Sequence, residues 1–368
     1  MFDYSNMLIY LNSIGIRNTQ IAKIENIIKE ENLETKDILE KKYISLFEDK
    51  ISKSSFEKLN NLEKNNELYK NLYERTCKNK INVITYKDCN YPQRLKYIEN
   101  FPRVIYFRGD ITTKDNLSIS IVGSRKHTNY GSAVVRYIVD ELSKLNVTII
   151  SGMAYGIDSL AHKRSLDNNN RTIAVLGNGV DVVYPIKNSN LYMNIIEKGA
   201  VLSEYPLGTK SMPYHFPERN RIISGLSLGT IVIEAKDKSG SLITAKCAAE
   251  QGREIFAVPG NINSVYSEGT NMLIRDGAIP FLSIDDLLYS IESIKDNFKK
   301  EQSEEIMNNL TDDEKIIYNL ILSGTNDINN ICINSKFDIS YTNSLLTILE
   351  LKELIESNNN KDFYIKNI

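Results

Sequence analysis

The chain has 368 residues, of which 42% are hydrophobic and 25% charged, which is typical of a soluble protein with two or three domains. Its formal net charge of −2 excludes a uniformly basic nucleic-acid-binding protein, so any such binding needs a local basic patch. The cysteines and histidines show no spacing that predicts a disulfide framework or a metal site. No apolar run approaches the roughly 20 residues of a membrane span, and no secretory signal begins the chain. We therefore expect a cytoplasmic protein with no membrane partner.

Residues 1–75 contain no proline and a single glycine, Gly15. Apolar residues recur at helical spacing on both sides of Gly15, which predicts two helices joined by a tight turn. We expect a small all-helical domain here, similar to SAM or helix-hairpin-helix domains.

Residues 80–290 hold sixteen of the eighteen glycines and all eight prolines. Short Val/Ile-rich segments alternate with helix-length segments, which predicts a doubly wound, mainly parallel α/β sheet of the extended Rossmann-like type. The predicted core strands are 119–122, 147–150, 172–176, 200–203, 230–233 and 254–258. The predicted helices between them are 131–145, 158–166, 188–198, 220–227 and 241–251.

Residues 291–308 are charged and nearly free of apolar side chains, so we expect a linker or the exposed face of a helix. Residues 309–368 begin with Thr311 and Glu314 in capping-box spacing, and predict three helices and a β-wing. That order is typical of a winged-helix domain. A base-poor third helix leaves open a partner-binding or dimer-closing role instead of DNA binding.

Glycines cluster where the predicted strands end, and such turns bring backbone amides and helix N-termini close to a bound phosphate. The first of these turns contains Gly123, Ser124, Arg125 and Lys126, which offer amides, a hydroxyl and two cations. The alternative is that Arg125 is a surface arginine paired with a carboxylate.

The second turn contains Gly152 and leads into a helix that we expect Asp158 to cap. Lys163 on this helix is a candidate phosphate contact, and its alternative role is an ordinary solvated lysine. For His162 we expect a structural role, because no acid or nucleophile stands at a spacing that would make it a base.

A third segment places Phe216 before Arg219, Asn220 and Arg221. Aromatic rings beside guanidinium groups suit single-stranded nucleic acid, because the rings stack on bases while the cations meet phosphates. The alternative is that Phe216 fills the core and Arg219 binds Glu234.

The last segment places Ser239, Gly240, Ser241 and Thr244 at the start of a helix, where they offer hydroxyl groups and amides. No phosphate-loop or dinucleotide-binding glycine motif is present, and we see no persuasive catalytic triad. We therefore predict no catalytic residue, no cofactor and no metal.

Taken together, these segments closely resemble the DprA/Smf family. The resemblance runs in the family's order from about Tyr91 to Ala278, and includes Ile121-Val-Gly-Ser-Arg, Phe216-Pro-Glu-Arg-Asn-Arg and Ala257-Val-Pro-Gly. It implies a central domain that binds single-stranded DNA without cutting it, protects incoming strands and loads the RecA recombinase in natural transformation. It also implies a homodimer formed through the central domain.

By this resemblance, Ser124 and Arg125 would hold the DNA backbone, and Lys163 would add charge to the same groove. Phe216 would supply the stacking surface with support from Arg219 and Asn220, and the Gly240–Thr244 turn would complete the pocket. Where family members have small residues, this chain has Arg164 and Ser165 after Lys163. Two alternatives are a phosphoribohydrolase acting on nucleoside monophosphates and an interaction scaffold without DNA affinity. The first is disfavoured because its Pro-Gly-Gly turn is missing.

Overall fold

The structure, a computed structural model, describes residues 2–358 and 362–366, without the side chains of residues 304 and 305. The chain forms two compact units, residues 1–295 and residues 296–368. No described helix is both long enough and apolar enough to cross a membrane.

The first unit begins with five α-helices: α1 (Tyr4–Ser13), α2 (Asn18–Glu30), α3 (Lys41–Ile44), α4 (Lys53–Asn60) and α5 (Leu62–Lys78). Leu11, Ile21 and Ile24 are fully buried, as their helical spacing predicts. Their hydrophobic cluster also contains Val104 and Tyr106 of the sheet. The helical segment is thus packed directly on the central α/β region, and the boundary near residue 75 stays a prediction.

The nine strands described in this unit are β1 (Asn82–Thr85), β2 (Val104–Gly109), β3 (Ser118–Val122), β4 (Thr148–Ser151), β5 (Thr172–Val175), β6 (Ala200–Ser203), β7 (Gly229–Val232), β8 (Glu254–Ala257) and β9 (Ile279–Pro280). They form one sheet in the order β1-β2-β6-β5-β4-β3-β7-β8-β9. The β1–β2 and β2–β6 pairs are antiparallel, and the remaining neighbours are parallel. The predicted doubly wound, mainly parallel α/β fold is confirmed.

The helices that follow are α6 (Asn129–Lys144), α7 (Ile157–Asp167), α8 (Ser189–Lys198), α9 (His215–Leu226), α10 (Gly240–Glu250), α11 (Glu268–Arg275), α12 (Ile284–Ser290) and α13 (Glu292–Asn308). The segment expected as a linker or an exposed helix face is thus helical. All five predicted helix starts differ from the structure, four of them by one or two residues and that of α9 by five. Helix α7 begins at Ile157 with Gly156 as its N-cap, so Asp158 lies inside the first turn. Helix α9 begins at His215 rather than Asn220, because its first turn accommodates Pro217, whose missing amide would be unpaired there anyway.

The chain winds outward from β3 through β4 and β5 to β6, then crosses to β7 on the other side of β3. The sheet therefore has its topological switch point between β3 and β7. In open α/β sheets, the carboxyl ends of the two strands at such a point diverge and leave a crevice for ligands.

The second unit contains most of α13, followed by α14 (Asp312–Leu322), α15 (Ile328–Ser335), α16 (Ile339–Leu351), β10 (Ile355–Ser357) and β11 (Phe363–Ile365). The predicted capping box is present, because Thr311 accepts from the Glu314 amide and Glu314 accepts from the Thr311 amide. Strands β10 and β11 pair antiparallel. Three helices followed by a β-wing match the predicted winged-helix order.

Candidate nucleic-acid interface

A cleft of about 680 Å³ lies at the switch point, beyond the ends of β3 and β7. Its walls come from the β3–α6 turn, the first two turns of α9 and the N-terminus of α10. The sequence-predicted residues that line it are Gly123, Ser124, Arg125, Lys126, Phe216, Arg219, Asn220, Ser239, Gly240, Ser241 and Thr244. Segments far apart in sequence thus meet at one opening.

The β3–α6 turn is held in shape by its neighbours. A Cβ at Gly156, whose φ is +83°, would lie 2.3 Å from the Ser124 carbonyl oxygen, so only glycine allows the two segments to approach. The Ser124 hydroxyl donates to the Lys126 carbonyl (2.7 Å) and accepts from the Lys126 amide (3.2 Å). Ser124 is therefore engaged within the turn, while Arg125 and Lys126 are exposed.

Arg125 and the rings of Tyr184 and Phe216 form a cluster in the lining of the cleft, in which the two rings are tilted by 43° to each other. The Arg125 guanidinium lies 5.8 Å from the centre of the Phe216 ring, and the Tyr184 ring lies 5.6 Å from Phe216 on centroids. Among the residues that the structure describes, no carboxylate forms an ion pair with Arg125. Among these residues, Arg125 therefore does not form the ion pair with a carboxylate that the alternative predicts.

Arg219 also lines the cleft, and its side chain is almost fully buried. Its guanidinium donates to the carbonyl of Gly152 (2.9 Å) and to that of Val175, and its Nε donates to Asn220 Oδ1 (3.2 Å). Burial lowers the pKa of Arg219 to about 10, and the buried Asp158 carboxylate opposes that shift. Arg219 thus supports the cleft wall through hydrogen bonds, and does not bind Glu234 as the alternative had it.

Gly152 explains how Arg219 fits. A Cβ at this position would lie 2.5 Å from the Arg219 Nη2 atom and 2.8 Å from its Cζ atom. Gly152 does not line the cleft itself but a small adjoining pocket, which it shares with Arg125 and Phe216.

The N-terminus of α10 forms the opposite wall. Asn220 donates from Nδ2 to the Gly240 carbonyl (3.2 Å), which joins this wall to α9. Ser239 caps α10, and its hydroxyl accepts from the Ser241 amide (3.4 Å). A Cβ at Gly240 would have no heavy atom within 4 Å, so the backbone here is open to a ligand. The helix dipole favours an anion at this position.

Two predicted site residues lie elsewhere. Lys163 is exposed on α7 and does not line the cleft. Arg221 lies on another face of α9 and forms an ion pair with Glu204 (2.5 Å). Phe216, Arg219 and Asn220 are spaced i, i+3 and i+4 and share the cleft face, which Arg221 cannot join.

The lining residues that sequence reasoning missed include two cations and an aromatic ring, Lys236, Lys238 and Tyr184. Both lysines are exposed and precede Ser239, the N-cap of α10. Their position just before a turn that suits phosphate could have identified them in the sequence. Tyr184 is 41% exposed and belongs to the loop between β5 and α8. Nothing local in the sequence points to its place beside Phe216.

The polar groups near the cleft do not form a metal centre. Among the described residues, no three His, Cys, Asp or Glu side chains are grouped to hold a metal ion. His162 is fully buried against Thr172, with 2.6 Å between Nδ1 and Oγ1. Burial lowers the pKa of His162 to about 3, so the ring is neutral. A buried, neutral ring agrees with the structural role expected for His162.

The fold and the cleft define an α/β protein with a cleft lined by cations and aromatic rings at a switch point. The sequence profile described as DNA recombination-mediator protein A matches residues 82–292, and the chain belongs to that family. Protein Smf of Escherichia coli is 43% identical over 203 residues, which cover 55% of this chain and 54% of that protein. DNA processing protein DprA of Bacillus subtilis is 44% identical over 208 residues, covering 56% and 70%. The chain thus spans about half the length of the Escherichia coli relative that it matches.

Two solved structures are similar to this chain. The DNA processing protein A structure from Streptococcus pneumoniae has a TM-score of 0.64 at 33% identity, covering 76% of this chain and 95% of that one. The Helicobacter pylori protein of the same name has a TM-score of 0.52 at 29% identity, covering 59% and 96%. The latter structure concerns that protein's single-stranded DNA binding mode.

Proposed function

We propose that the cleft binds single-stranded DNA without cutting it. The observation that carries this proposal is the cluster of Arg125, Phe216 and Tyr184 in the lining of a cationic cleft. The exposed Tyr184 ring and the partly exposed Phe216 ring beside cations provide base stacking and phosphate neutralisation together. Support also comes from the Helicobacter pylori relative, whose structure describes single-stranded DNA binding.

In the proposed complex, Arg125 and Lys126 neutralise phosphates on one side of the cleft, and Lys236 and Lys238 do so on the other. The open amides at Gly240 complete the anion site, as helix N-termini commonly do. A base stacks on the exposed part of Phe216 in a sequence-tolerant way. A stiff duplex cannot bend into a cleft of this size, which gives the preference for a single strand.

Ser124, Gly152, Arg219 and Asn220 contribute to this proposal mainly as supports, because their polar groups are already hydrogen-bonded within the protein. Lys163 stays a prediction, as a contact for a strand that extends beyond the cleft.

We further propose that the protein protects incoming DNA strands and loads a RecA-type recombinase on them, acting in the cytoplasm as a homodimer. The family's description as a recombination mediator supports the first part. Exposed apolar side chains in the segments after β8 and β9, Ile262 (86% exposed) and Leu282 (70% exposed), support association through the central domain. A dimer offers two clefts, so a long strand gains affinity through effective concentration.

A hydrolase role has less support. Glu234, which follows β7, accepts from the amide (2.9 Å) and hydroxyl of Thr128, the N-cap residue of α6. Its carboxylate is therefore engaged in holding a helix start. Release of free adenine from adenosine monophosphate would nevertheless restore the phosphoribohydrolase proposal.

The test is fluorescence anisotropy with labelled single-stranded and duplex oligonucleotides across a salt series. We expect tight, salt-dependent binding of the single strand only. Arg125→Ala should weaken binding and reduce the salt slope by about 0.7, the value for one phosphate contact on a single strand. Arg136→Ala is the matched control, because Arg136 is exposed on α6 but does not line the cleft. Unchanged affinity of Arg125→Ala at low salt would contradict the assignment of the cleft.

A further inference from the structure

A second cavity, of about 400 Å³, lies on the other side of the first turn of α9. One wall is the α1–α2 turn, from Gly15 to Thr19, together with Lys58 of α4. The facing wall is α9 and the segment before it, including Tyr214 and His215. The proposed DNA-binding function makes no use of this cavity.

Two cations line this cavity without an acidic partner among the residues that the structure describes. The Lys58 ammonium donates to the Gly15 carbonyl (2.7 Å), which places it at the α1–α2 turn. Arg17 is exposed and is the N-cap residue of α2, but its side chain makes no capping bond. Within residues 2–358 and 362–366, neither cation forms an ion pair with a carboxylate. Burial, and then the charge of Arg17, lower the pKa of Lys58.

The acidic groups of the cavity, in contrast, are engaged. Glu204 binds Arg221 (2.5 Å) and accepts from Asn18 Nδ2 (2.6 Å). Glu218 accepts from the Tyr205 hydroxyl (3.0 Å). Glu218 keeps its negative charge, because the Tyr205 hydroxyl is neutral, so the lining carries three cations and two carboxylates and stays net positive. Arg17 and Lys58 repel each other, and an anion placed between them would remove that repulsion.

An aromatic surface lies beside these cations. The rings of Tyr205 and His215 are stacked at 4.1 Å, and Tyr214 meets His215 edge-on at 4.6 Å. Tyr214 is 51% exposed. An exposed ring next to unpaired cations repeats the combination found at the main cleft, and it suits a nucleotide.

Helix α9 connects the two openings. Pro213 and Phe216 line the main cleft, whereas Tyr214 and His215 line the second cavity. A strand leaving the cleft over the start of α9 would therefore reach Arg17 and Lys58 with its next phosphates. We propose that this cavity is a second phosphate-binding subsite, in which Arg17 and Lys58 hold a phosphate group of the same DNA strand. This inference rests on the proposed single-strand binding in the main cleft.

The test compares Arg17→Ala with Lys23→Ala, an exposed lysine on the same helix that does not line the cavity. Lys58 is left intact because its ammonium supports the α1–α2 turn. Affinity is measured by anisotropy for oligonucleotides of about 4 and about 16 nucleotides, which bracket common site sizes. We expect Arg17→Ala to weaken binding of the longer strand on the order of fivefold and to lower its salt slope by about 0.7. Binding of the shorter strand, and all binding by Lys23→Ala, should match the wild type.

Other outcomes separate this inference from the proposed function. If Arg17→Ala binds the longer strand like the wild type while Arg125→Ala does not, the second subsite is refuted and the main cleft stands. If the wild type binds no single strand at all, both proposals fail. A free phosphate compound is tested with pyrophosphate in a thermal-shift assay. A shift lost in Arg17→Ala, without any effect on the longer strand, would assign the cavity to a free anion and overturn the strand subsite.

Discussion

Replacing Arg219 with methionine separates a DNA-contacting role from a supporting role for this residue. The side chain is only 3% exposed, and it donates to the carbonyls of Gly152 and Val175. Methionine keeps much of the volume but removes every donor, so both carbonyl groups lose a charged partner at a cost of about 1–3 kcal/mol each. The buried Asp158 carboxylate also loses its nearby cation. Breaking such a buried arrangement typically costs about 3–5 kcal/mol, a large part of the usual 5–15 kcal/mol of stability.

The assay pairs urea unfolding, followed by circular dichroism, with anisotropy on single-stranded DNA in buffer without urea. We expect Arg219→Met to lower the urea midpoint of unfolding clearly. The salt slope of DNA binding, measured on the protein that stays folded, should not change. The opposite pattern, a wild-type midpoint with a salt slope smaller by about 0.7, would show that Arg219 contacts phosphate. That result would refute the supporting role derived from its burial.

Three further predictions concern the turn, a buried histidine and the second unit. Gly156→Ala should destabilise the protein by more than about 2 kcal/mol and abolish DNA binding, because φ is +83° and the added Cβ would lie 2.3 Å from a carbonyl oxygen. The control is Gly240→Ala, which should leave the urea midpoint unchanged because the added Cβ has open space around it. His162 has its pKa lowered to about 3 by burial, against about 6.5 when unfolded, so stability is lost as pH falls below 6.5. The wild type should lose about 2 kcal/mol from this group by pH 5, and His162→Asn should not, in urea titrations across pH. Lys352 contacts both carboxylate oxygens of the buried Glu314 at 2.9 Å, so Lys352→Met should lower the melting temperature of the second unit and leave DNA affinity unchanged.

The general position of the cleft could be predicted from the sequence because two glycines, Gly123 and Gly240, lie at it. Gly123 and Gly240 stand just beyond buried strands or at helix starts, and the parallel arrangement brings such ends to one edge of the sheet. Alternating strand and helix patterns also predicted the doubly wound fold, because buried parallel strands read as continuous apolar runs.

The roles of individual side chains could not be predicted in the same way. Arg219 and Arg221 are two residues apart and look equivalent in sequence, yet one faces the Gly152 and Val175 carbonyls and the other faces Glu204. Which of them meets a ligand depends on the rotation of α9, and that rotation is set by packing against distant segments. Tyr184 illustrates the same limit, because a long loop brings it to Phe216.

The charges around the cleft show why binding and stability should respond to different substitutions. Arg125 and Lys126 are exposed and form no ion pair with a carboxylate among the residues that the structure describes. Their mutual repulsion is then a small cost to the folded protein, which a bound phosphate removes. Removing one of them therefore leaves the fold as stable or slightly more stable. A loss of DNA binding in such a variant can be attributed to the missing cation, whereas the same loss in a Gly152 or Arg219 variant would first require proof of folding.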